Sequence, residues 1–74
     1  MTVHKSVEER RAEILKAAAL EMDSVGYAAL TMEAIVKRTS LSKGGVYRFF
    51  ANKREIALAL FKYLHHQIFP YEAE

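Results

Sequence analysis

Four small polar side chains stand along this chain, each at the head of a segment whose apolar residues recur at helical spacing: Ser6, Thr31, Ser42 and Asn52. The first amide groups of a helix have no partner within it, and a Ser, Thr or Asn oxygen satisfies one of them. The pattern predicts four helices. Ser6-Val-Glu-Glu9 has the capping-box form, with the Glu three residues after the cap. Ile14, Leu15, Ala18, Met22 and Val25 then share one face. Gly26 is placed to end that helix in a left-handed conformation, with Tyr27–Leu30 as a connector. Thr31 caps a short second helix carrying Met32, Ile35 and Val36 and ending near Arg38, with Glu33 in its first turn. Thr39–Ser42 is a turn. On the third helix Val46, Phe49 and Phe50 face one way and Gly44 and Arg48 the other. Lys43 and Tyr47 flank that outer face on one side and Gly45 on the other. Asn52 with Glu55 repeats the capping logic. Helix four runs from Lys53 to about Ile68 on Ile56, Leu60, Leu64 and Ile68, with Ala57 and Phe61 alongside, and Pro70 marks its limit.

Seventy-four residues make one domain. At this size only about 60% of the unfolded surface is buried, which leaves no core to give up for a deep catalytic cavity. Hydrophobic residues make up 51% of the chain, with three Gly and one Pro, as suits a packed all-α domain. Cysteine is absent, which removes disulfides and thiolate metal ligands and fits a cytoplasmic setting. No apolar run approaches the roughly 20 residues of a membrane span, and Met1–Lys5 lacks an apolar signal core. His65 and His66 are neighbours pointing about 100° apart, a poor chelate, and His4 lies in the N-terminal arm. With no suggestive Ser, His and Asp arrangement and no phosphate-binding glycine loop, the reading is a non-enzyme without metal or cofactor.

The net charge of +2 is unevenly spread. Residues 31–54 hold six bases against one acid (+5), residues 1–30 four against five (−1), and residues 55–74 one against three (−2). The basic block coincides with two short helices joined by a four-residue turn, the helix-turn-helix pattern of major-groove DNA binding. Arg48 is the candidate for bidentate reading of guanine, or else for a phosphate. Gly44 and Gly45 cost a helix roughly 1 kcal/mol each relative to Ala. They either admit DNA close to the backbone or merely loosen the turn. Lys43 and Lys53, in first helical turns, are candidate phosphate ligands. Tyr47 either donates to a phosphate or packs in the core. Thr31 and Ser42 are caps first, with hydroxyls or amides that can also meet phosphates.

These residues resemble the tetracycline-repressor (TetR) family of bacterial regulators. The likeness runs without a gap from about Ile14 to Ile56. Ile14-Leu-Lys-Ala-Ala18, Gly26-Tyr27, and Thr31 with Ile35 are similar to the family's first two helices. Leu41-Ser-Lys-Gly-Gly-Val-Tyr-Arg-Phe-Phe50, then Lys53 and Glu55-Ile56, resembles its most distinctive stretch. The resemblance implies phosphate contacts at Thr31, Ser42, Lys43, Tyr47 and Lys53, and base-contacting positions at Gly44, Gly45 and Arg48. It also implies a homodimeric repressor released by a small-molecule effector bound to a C-terminal regulatory domain. Ser40 stands where the family's turn usually has Gly, Gly45 where a DNA-contacting side chain is common, and Phe49 where His or Tyr is common. Side-chain readout is thereby thinner, and sequence preference leans on Arg48 and DNA shape.

The expected organisation is a flexible arm at residues 1–5, a homeodomain-like helix-turn-helix DNA-binding domain at 6–52, and helix four with a tail at 53–74. Helix four would lead into a regulatory domain lying outside this chain. Alone, the chain is expected to be a monomer or weakly associating, binding double-stranded DNA feebly for want of a second head. The competing expectation is a protein-interaction module using the apolar face of helix four.

Overall fold

In a computed structural model, residues 5–68 are described. Of the expected arm only Lys5 falls within this range. Phe69, Pro70 and Tyr71 of the expected tail, His4, and the side chains of His66 and Ile68 lie outside the described residues. Among those described, every regular element is a helix: α1 (Val7–Ala29), α2 (Met32–Lys37), α3 (Lys43–Phe49) and α4 (Lys53–Ile68).

The caps fall where the sequence puts them. Ser6 Oγ accepts the Glu9 amide at 3.1 Å, and Glu9 Oε1 accepts the Ser6 amide at 2.8 Å, completing the capping box. Thr31 Oγ1 accepts from the Ala34 amide and Ser42 Oγ from the Gly45 amide. Asn52 Oδ1 accepts from the Glu55 amide at 2.9 Å. The reciprocal half there is displaced by one residue, because Glu55 Oε1 takes the Ala51 amide instead.

Gly26 has φ 82° and ψ 164°, a positive-φ conformation beyond the left-handed helical well and natural only to glycine. The chain kinks there. Tyr27–Ala29 is then not an open connector but a further helical turn, closed by the Leu30 amide donating to the Tyr27 carbonyl at 3.1 Å. Val25, just before the kink, is 44% exposed rather than buried with the expected apolar face.

The core consists of Ile14, Leu15, Ala17, Ala18, Leu30, Ile35, Val46, Phe50, Ile56 and Leu60, and no polar or charged side chain is buried among the described residues. Helix α1 is the common platform: α2 and α4 pack on it, and α3 packs on α2. Among the described side chains of α4, Leu60 is the last that is buried. Beyond it, Phe61 is 69% and Leu64 49% exposed, so the expected stripe has left the core by Leu64.

Polar contacts between elements run around the periphery. Glu21 Oε1 accepts from Arg38 Nε at 2.7 Å, tying α1 to the end of α2. The Arg11 guanidinium lies 5.3 Å from the centroid of the Phe50 ring, at the end of α3. Thr39 tightens the turn by donating to the Val36 carbonyl at 2.8 Å and accepting the Leu41 amide at 3.1 Å.

Candidate nucleic-acid interface

Helix α3 turns Val46 fully inward and leaves Lys43, Gly44, Tyr47 and Arg48 exposed. A seven-residue helix can expose this much only because Val46 and the following Phe50 anchor it. Two open grooves flank it. Ser42, Gly44, Gly45 and Arg48 line one, together with Arg10 of α1. Lys43 and Tyr47 line the other, together with Glu33 and Lys37 of α2. Six of the eight expected residues are thus brought together around one helix. Thr31 and Lys53 stand outside both grooves.

Tyr47 is 40% exposed, which removes the core-packing alternative. The Lys43 ammonium sits 6.0 Å from the centroid of its ring, at the limit of cation–π contact. The Arg48 side chain has no hydrogen bond or ion pair among the described residues, so its guanidinium is free for an external acceptor. A Cβ built on Gly44 meets nothing within 4 Å, whereas one on Gly45 would press on the cap hydroxyl of Ser42 at 3.3 Å. Internal packing therefore gives Gly45 a reason to be small and gives Gly44 none.

Lys53 occupies a different setting from the free phosphate ligand expected. Its ammonium donates to the carbonyls of Tyr27 at 2.8 Å and Ala28 at 3.3 Å, and lies 4.5 Å from the centroid of the Tyr27 ring. It thereby ties the start of α4 to the turn after the Gly26 kink. An ammonium has three donors, so one remains available.

Sequence reasoning missed the residues that lock the helix-turn-helix onto α1. Glu13 Oε2 accepts the Ser40 amide at 2.6 Å, Oε1 accepts the Ser40 hydroxyl at 3.1 Å, and Lys5 donates to Oε1 at 2.9 Å. The Lys5 ammonium first, and then the Ser40 amide, hold the Glu13 carboxyl below the usual carboxylate value. Ser40, an oddity of the turn by sequence, is the partner this carboxylate requires. Nothing in the sequence marks the pair, which lies 27 residues apart.

A small helical unit holding a helix-turn-helix, its second helix turning glycines and a free arginine to solvent, defines the DNA-binding head of a transcription regulator. Comparison with known families agrees: the family model described as "Bacterial regulatory proteins, tetR family" matches residues 14–60. The chain belongs to the TetR family. It is also 40% identical over 48 residues to the uncharacterized HTH-type transcriptional regulator YhgD of Bacillus subtilis (strain 168). That alignment covers 65% of this chain and 25% of the relative, so the chain matches about a quarter of the relative's length. No solved structure gives a significant match.

Proposed function

We propose that this head binds double-stranded DNA with α3 in the major groove. The observation carrying this is the exposed Arg48, without an internal partner, beside the bare backbone of Gly44. In this reading Arg48 contacts a base edge, and Gly44 and Gly45 let the strand come close. Thr31, Ser42, Lys43, Tyr47 and the remaining donor of Lys53 hold phosphates, which fix register without carrying sequence. The DNA-binding unit spans residues 6–52, and 53–74 form the connection to a regulatory domain.

The whole regulator is proposed to act in the cytoplasm as a homodimeric repressor released by a small-molecule effector. Family membership supports this. No helix of the described residues is long and apolar enough to cross a membrane.

The test is fluorescence anisotropy with labelled duplex DNA over a salt series. Binding that weakens steeply as salt rises is expected, because phosphate contacts release counterions. Absence of binding at low salt, even with two heads joined by a dimerising coiled coil, would overturn the proposal.

A second reading has one observation behind it: Phe61, Tyr63 and Leu64 of α4 are all exposed. In that reading α4 docks on a protein. Arg48→Ala separates the two, since it abolishes DNA binding and spares a surface on α4.

A further inference from the structure

Helix α1 contributes to the groove beside α3 an arginine that the fold itself does not use. Arg10 is half-buried on the flank of α1, and its side chain makes no hydrogen bond, ion pair or ring contact among the described residues. Of the acids close to it in sequence, Glu8 lines a different groove with Arg11 and Tyr63, and the other two are engaged. Glu9 is taken up in the capping box with Ser6. Glu13, one helical turn away, spends its oxygens on Lys5 and on the amide and hydroxyl of Ser40. The contact of Glu13 with Ser40 also seats this part of α1 against the turn that leads into α3. Arg10 consequently lines the same groove as Ser42, Gly44, Gly45 and Arg48.

We infer that Arg10 is a further DNA-contacting residue: it binds a backbone phosphate of the strand bordering the groove that Arg48 enters. This rests on the proposed binding of DNA by α3. The groove has a guanidinium from α1, a guanidinium from α3, and glycine backbone between them that fills none of the space. No carboxylate lines it. A polyanionic strand complements it in charge, and a guanidinium binds phosphate oxygens bidentately. Arg10 would thus carry the interface beyond the helix-turn-helix and onto α1.

The test uses the 74-residue chain and a labelled mixed-sequence duplex about two helical turns long, in a salt series. Wild type is compared with Arg10→Ala, Arg10→Gln, Arg48→Ala and Lys16→Ala, the last removing an exposed cation elsewhere on α1. Circular dichroism shows that each variant is folded, and Arg10→Gln retains most of the side-chain stem should Arg10→Ala lose packing. Loss of one phosphate contact is expected to weaken binding about fivefold to tenfold at low salt. The slope of log affinity on log salt should fall by about 1 for both Arg10 variants. Lys16→Ala should leave both quantities near wild type. If Arg10→Gln behaves like Lys16→Ala while Arg48→Ala binds poorly, the role of Arg10 is overturned and that of α3 stands. If wild type fails to bind even with two heads joined by a dimerising coiled coil, both are overturned.

Discussion

The Lys53 ammonium lies 2.8 Å from the Tyr27 carbonyl oxygen and 4.5 Å from the centroid of the same residue's ring, so one side chain of α4 holds both faces of the turn that follows the Gly26 kink. Lys53→Met keeps the stem and removes the donors. It should cost about 1 kcal/mol, the ordinary net worth of such a hydrogen bond. In a domain of this size that lowers Tm by roughly 4–8 °C. Thermal melting followed by circular dichroism reads it. An unchanged Tm would mean that the contact holds nothing in place.

Acidification should release the turn. The folded pKa of Glu13 is lowered, so its contribution is complete above the unfolded value and disappears as pH falls through the folded one. Wild type should therefore lose more stability than Glu13→Gln between neutral pH and the acid range. At neutral pH the variant should be weaker by about 1 kcal/mol. Chemical denaturation at several pH values measures the difference, and parallel pH profiles for the two proteins would refute the assignment.

Gly44→Ala should move stability and DNA affinity in opposite directions. The added methyl meets nothing within 4 Å, and alanine favours a helix over glycine by up to about 1 kcal/mol. The variant should melt higher. If DNA backbone approaches closely at Gly44, the same methyl weakens binding. A higher Tm with unaltered affinity would show that the close approach does not occur.

Phe61→Ser should leave the fold nearly untouched, within about 0.5 kcal/mol, because the ring is 69% exposed. It should also leave DNA binding as it was. Loss of DNA binding in a folded Phe61→Ser protein would move the functional surface to α4.

How much of this was legible in the sequence follows from how far apart the partners lie. Caps join residues three apart, and the inward faces of α2 and α3 repeat every three or four, so Thr31, Ser42, Ile35 and Val46 could be placed from spacing alone. The outward set of Gly44 and Arg48, with Lys43 and Tyr47 to one side, follows from the same 100° rotation per residue. The contacts of Ser40 with Glu13 and of Lys53 with Tyr27 span 27 and 26 residues. They exist only once α1 has packed, and no local pattern announces them. Val25 was misplaced for a related reason: spacing gives the face it shares, and not whether another helix covers that end of α1. Arg10 carries no local mark either, because its place in the groove depends on which helix lies beside it.

The wholly apolar interior has a bearing on how such heads diverge. Attraction among Ile14, Ile35, Val46 and Ile56 is non-directional, and ridge-into-groove packing allows the helices a small set of crossing angles with some scatter. The directional bonds between elements lie at the rim, at Glu13 with Ser40, Glu21 with Arg38 and Lys53 with Tyr27. Exchanges at the rim can therefore trim the tilt of α3 within what the packing allows. A lineage could re-aim the head toward a new operator while inheriting its interior unchanged.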